Sequence, residues 1–170
     1  MLHFARGLGL MLCALAMGLG LSASAQSRNE TVFDAWNAVC QQMDSESEPF
    51  CFFGHVIANE EGNPISEVRI LQLKSEEGET VHRLQIRTPL GVLLPAATSL
   101  IVDEEAILDA SYVVCLDVCI AETEIDRAVM DLIADGFVMQ IVWRHVEAPD
   151  AIVLPVNLAG FSDARAHISE

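Results

Sequence analysis

The chain predicts a mainly antiparallel β fold, a sandwich or a barrel, carrying one amphipathic helix. Two observations lead there: apolar and polar residues alternate with period two along most of the chain, and turn-forming clusters interrupt the alternation at short intervals. A third observation, one stretch of helical periodicity after residue 122, supplies the helix.

Taken in order, "CFFGHVIA" (51–58) is the first strand segment and "EVRILQLK" (67–74) the second. In the latter the apolar phase shifts at Leu71, which predicts a bulge. The plainest strand is "HRLQIRT" (82–88), where Leu84 and Ile86 point one way and Arg83, Gln85 and Arg87 the other. "TSLIVD" (98–103) and "SYVVC" (111–115) follow. "TEIDRAVMDLIADG" (123–136) sets Ile125, Val129, Leu132 and Ile133 on one helical stripe, with Thr123 as the N-cap candidate and Gly136 as the C-cap. "FVMQIVWR" (137–144) alternates Phe137, Met139, Ile141 and Trp143 against polar and smaller partners. "AIVLPVNL" (151–158) does the same, and Pro155, which cannot donate to a ladder, predicts an edge strand or a bulge. A short helical turn opens at Ser162 in "GFSDARAHI". The punctuation between strands is "EEGNP" (60–64), "SEEGE" (75–79), "TPLG" (88–91) and "APD" (148–150).

Ahead of these lies "MLHFARGLGLMLCALAMGLGLSASAQ", with Arg6, an apolar run over residues 7–21, and Ala23 and Ala25 as the small residues of a cleavage site. That pattern predicts a Sec signal peptide over residues 1–25 and a mature chain from Gln26 to Glu170, a single domain. The run is shorter than the roughly 20 residues a spanning helix needs, so no integral membrane segment remains after cleavage. Cys13 is lost with the peptide.

The mature chain sets 8 basic side chains against 25 acidic ones, a net charge of −17. Such a field repels nucleic acid and anionic lipid. The acid is spread through many loops, as expected of a solvated surface. Four cysteines remain, Cys40, Cys51, Cys115 and Cys119, and an even count in an exported chain reads as two disulfides.

Catalytic chemistry finds no foothold. There is no G-x-S-x-G elbow, and His55, His82, His145 and His167 stand in different segments. Zinc would need a second close ligand pair beside Cys115 and Cys119, and calcium a loop spacing that "EEGN" and "SEEGE" lack. As a redox pair, Cys115 and Cys119 have the wrong spacing, and Asp117, Glu122 and Glu124 disfavour a thiolate. The sequence therefore predicts no catalytic residue, no metal and no cofactor. The cysteines are staples, with Cys115 paired to Cys119 and Cys40 to Cys51, because each pair flanks a polar or turn-forming insert. In one extended strand Cys115 and Cys119 would stand roughly 13 Å apart at about 3.3 Å per residue. A disulfide tolerates about 6.8 Å between Cα atoms, so the chain must reverse or coil at Leu116-Asp117-Val118.

Several features together resemble one family. "FDAWNAVC" (33–40), Cys51 ahead of a strand, "RTPLGVLLPAATSLIVDEE" (87–105), "CLDVCIAETEID" (115–126) and the closing "VNLAGFSDA" (156–164) are similar, as an ordered set, to exported alphaproteobacterial proteins of the invasion associated locus B type. The resemblance implies an immunoglobulin-like β-sandwich bearing disulfides, associated in some pathogens with host-cell entry, and it brings no catalytic residues. Two positions depart from it: Val118 stands where the family usually has Gly, and Ala96-Ala97 where it tends to have one. Neither side chain favours φ > 0, so the two turns are expected to differ. The expected function is that of a periplasmic or secreted, non-enzymatic envelope protein that binds an unknown protein or envelope partner through strand edges or loops, with a role in host-cell interaction or envelope maintenance. The alternative is a periplasmic module binding a small ligand or a cation.

Overall fold

The computed structural model describes residues 28–42 and 47–169, so the expected signal peptide lies outside the described residues. Ten strands form one antiparallel sheet: β1 (Arg28–Phe33), β2 (Trp36–Gln41), β3 (Phe50–Ala58), β4 (Pro64–Lys74), β5 (Thr80–Thr88), β6 (Thr98–Val102), β7 (Glu105–Cys115), β8 (Cys119–Ile125), β9 (Met139–Trp143) and β10 (Ile152–Val156). Two α-helices, α1 (Arg127–Asp135) and α2 (Phe161–Ile168), accompany the strands among the described residues. The strand order is β1-β2-β3-β4-β5-β8-β7-β6-β9-β10. The first five strands meander; β6, β7 and β8 are then laid down in reverse, and β9 returns beside β6 as the fourth strand of a Greek key.

Strand β7 bends the sheet. Its first half pairs with β6 as far as Thr98↔Ala110, and its second half pairs with β8 from Ser111↔Glu122, across a register shift between Tyr112 and Val114. The sheet thereby folds over until its ends meet. Trp36 Nε1 donates to the Asn157 carbonyl at 2.8 Å, and the Ala35 N–H donates to the Ala159 carbonyl at 3.1 Å. Between the layers lie Trp36, Phe53, Ile70, Leu84, Ile86, Leu100, Ile141 and Phe161, all fully buried. The Tyr112 hydroxyl sits 2.7 Å from Thr98 Oγ1 on β6 and 3.5 Å from Thr88 Oγ1 on β5, a polar tie across an apolar interior.

The β-rich architecture with two disulfides is as expected, and several details are not. Leu71 makes no bulge: β4 pairs without a shift at that point against both β3 and β5. The strand stays straight because Gln72 takes the inward position, leaving Leu71 and Leu73 half-buried on the outer face. Helix α1 starts three residues later than expected. Thr123 and Ile125 belong to β8, opposite Leu84 and His82, and the N-cap is Asp126, whose carboxylate accepts the Val129 N–H at 2.9 Å. The buried face is accordingly Met130 and Ile133, with Leu132 exposed, while Gly136 caps the C-terminus as expected. The turn at Ser162 extends to the eight residues of α2. Pro155 lies in β10, an edge strand.

Candidate interaction surface

Exposed apolar side chains collect at one end of the sheet, around the β7–β8 hairpin. Cys115 and Cys119 face each other across the ladder with Cα atoms 4.0 Å apart and are disulfide-bonded. The reversal at Leu116-Asp117-Val118 is closed by the Leu116 N–H donating to the Val118 carbonyl at 3.0 Å, which leaves Leu116 78 % exposed at the tip. Val113, at the register shift, and Val114 stand exposed on the same strand.

The segment between β5 and β6 borders this tip. Its backbone is fastened, the Leu93 N–H donating to the Arg144 carbonyl and the Val146 N–H to the Gly91 carbonyl, both at 2.8 Å, with Val92 buried as an anchor. Gly91 is required there: it has φ +88°, and a Cβ would lie 2.3 Å from His145 Nε2. A single 3-10 turn, Leu94–Ala96, then packs on β7. Leu90, Leu93, Leu94 and Val146 are thereby held out to solvent. Residues 88–102 contain no charged side chain, and 106–120 only Asp109 and Asp117, in a protein of strongly acidic surface. This end is an apolar surface carrying few charges, Asp117, Arg144 and Glu147 among them, of the kind that marks interaction sites. No expectation from the sequence named it, although the charge-free run from Thr88 to Val102 was its visible signal.

The second cysteine pair, the histidines and the acidic loops fall as follows. Cys40 and Cys51 are directly opposed on β2 and β3, Cα atoms 4.1 Å apart, and are bonded. His55 donates from Nδ1 to the Ala35 carbonyl at 2.7 Å, His145 Nδ1 accepts the Glu147 N–H at 3.2 Å, and the His167 ring lies 5.3 Å from that of Phe33. His55 lines a shallow cleft beside β10, and His82 borders another, where burial, then Arg165 and Arg127, hold its pKa below the ordinary histidine value. Among the described residues no three His, Cys, Asp or Glu side chains converge as a metal site would require. The acidic loops are hairpin turns: Asn59 Oδ1 accepts the N–H groups of Glu61 and Asn63, and Ser75 Oγ those of Glu77 and Glu79. Phe137, expected on the buried face of its strand, is instead 90 % exposed. It precedes β9, and the Asp103 carboxylate accepts its N–H at 3.0 Å and that of Val138 at 2.9 Å, fixing the segment outside the ladder.

Known proteins bear on this geometry in two ways. The crystal structure of invasion associated protein B from Bartonella henselae superposes with a TM-score of 0.67 at 20 % identity, covering 83 % of this chain and 95 % of that one. No curated protein matches the chain. The model of the invasion associated locus B (IalB) protein family matches residues 36–169, from the buried Trp36 through both disulfides to the end of α2, and the chain belongs to that family.

Proposed function

We propose that this is an exported, non-enzymatic cell-envelope protein that acts by binding another macromolecule through its apolar end. Residues 1–25 direct it past the inner membrane, and it works in the periplasm or beyond the cell. The observation that carries the reading is the fixed presentation of Leu90, Leu94, Val113 and Leu116 on a surface otherwise rich in acid. A backbone already fastened by hydrogen bonds and a disulfide loses little entropy on docking, so more of the apolar burial is retained as affinity. Two disulfides support an oxidising compartment. Among the described residues no helix is long and apolar enough to cross a membrane. Membership of the family, whose Bartonella structure is named for invasion, supports a role at the cell envelope or towards a host.

The test places a photo-crosslinking residue at Leu116 in intact cells and, as control, at Glu76 in the β4–β5 turn at the far end of the sheet. The expected result is one adduct of defined mass from position 116, lost when Leu94→Asp is added, and none from position 76. Equal adducts from both positions, or an adduct indifferent to Leu94→Asp, would remove the apolar end from the argument.

A further inference from the structure

At the end of β5 and β8 remote from the apolar surface, the layers part around a cleft of about 820 Å³, a size usual for small-ligand sites. Leu108, Ile125 and Val129 supply apolar wall; Gln72, His82 and Arg127 supply polar groups from β4, β5 and α1. Gln72 faces inward between Cys51 and His82 in the ladder. Its Oε1 is buried with no hydrogen-bond partner. An orphaned buried acceptor costs about 1–3 kcal/mol, and a native structure keeps one only for a reason.

The charges around the cleft supply that reason. Its acids are engaged: Asp126 caps α1 through the Val129 N–H, and Glu124 pairs with Arg83 at 3.5 Å. Arg165 nearby is paired with Asp131 at 2.7 Å. Arg127, at the mouth beside Asp126, makes no ion pair among the described residues, so its guanidinium donors are open to a ligand. His82, kept largely neutral, offers an imidazole hydrogen bond and no second charge.

The geometry points to a binding site for a small amphipathic monocarboxylate that also bears a hydroxyl or N–H donor. Its carboxylate meets Arg127, its apolar body lies on Leu108, Ile125 and Val129, and its donor satisfies Gln72 Oε1. A guanidinium presents a fork of donors matched to a carboxylate, which favours that anion over a halide.

Three probes separate the contributions in amide chemical-shift titrations of the exported protein: 4-hydroxybenzoate, benzoate, which lacks the donor, and 4-hydroxybenzamide, which lacks the charge. The expected result is saturable shifts at Gln72, His82 and Arg127 with 4-hydroxybenzoate, and binding about ten-fold weaker for each of the other two. Arg127→Gln, at an exposed position, should weaken 4-hydroxybenzoate by about ten-fold, and Gln72→Leu should abolish its advantage over benzoate. Gln72→Leu removes the orphaned acceptor, so its fold is not at risk. No saturable shift with 4-hydroxybenzoate up to about 10 mM, or undiminished binding to the Arg127→Gln protein, would overturn the assignment.

Discussion

Ala97 closes the 3-10 turn before β6 with φ 54° and ψ −172°, a backbone conformation that glycine enters freely and other residues do not. Strain of this kind costs about 1–3 kcal/mol per residue. Ala97→Gly relieves it, at the expense of about 0.5–1 kcal/mol of chain entropy and about 0.4 kcal/mol for half of one buried methyl. The middle of those ranges leaves a net stabilisation of about 1 kcal/mol, or roughly 4 °C in Tm for a domain of this length.

Urea denaturation of the oxidised protein reads the change as a higher midpoint at constant slope. Ala96→Gly is the internal control. Its φ is not positive, so the same entropy is lost with no strain released, and stability should drop by about 0.5–1 kcal/mol. Val118 also has no positive φ, so Val118→Gly should lose as well. If Ala97→Gly were no more stable than the natural chain, or if Ala96→Gly gained as much, the strain argument would be wrong.

Three further expectations follow from single contacts. A Cβ on Gly160 would stand 1.9 Å from the Phe33 carbonyl at φ +86°, so Gly160→Ala should cost at least about 3 kcal/mol in denaturant titration, as backbone rather than a flexible side chain must move. Replacing Cys115 and Cys119 by Ser should cost about 2 kcal/mol and replacing Cys40 and Cys51 nearly 3 kcal/mol, with the first variant still folded by circular dichroism. Because the folded His82 titrates below 6.5, the unfolded chain binds more protons below that pH; the stability advantage over His82→Gln should be full above 6.5 and shrink as pH falls, and a constant difference would refute the burial argument.

How much of this was legible depended on where each side chain found its partner. β5 could be read directly, because Leu84 and Ile86 alternate with residues wet on the outer face. β8 could not. Its outward Glu122 and Glu124 look like loop residues until β5 is laid beside them, where Arg83 lies 3.7 and 3.5 Å away and Gln85 donates to Glu122 at 2.8 Å. The β1–β2 hairpin was missed because its turn, Asp34-Ala35, carries neither Gly nor Pro, and Asp34 takes φ 48° without advertising it. Thr123 and Asp126 are both good N-cap types, and only the β5–β8 pairing through Ile125 decides between them. The cleft was invisible for the same reason: Gln72, His82 and Arg127 lie on three elements that only the sheet order and α1 bring together.

The placement of the disulfides says more than their number. If stability alone were at stake, one bond from Cys40 to Cys119 would enclose a loop long enough to be worth about 4.5 kcal/mol, against about 2 for the short loop actually closed at Cys119. Both bonds instead join directly opposed residues of neighbouring strands. Such a bond adds little beyond what the ladder already specifies, except where the ladder ends. Cys115–Cys119 sits where β7 and β8 stop, beneath Leu116, and Cys40–Cys51 shares the inward row with Gln72, His82 and Ile125 that borders the cleft. Fraying is greatest at strand ends, and a crosslink there suppresses local opening that global stability does not reach. Each staple therefore fixes one of the two ends at which the molecule offers a surface: the apolar tip and the cleft lined by Gln72, His82 and Arg127. Between them the outer face neutralises itself, Arg87 resting against Glu67 at 3.3 Å and Arg83 against Glu122 and Glu124, so it offers a ligand little unspent charge.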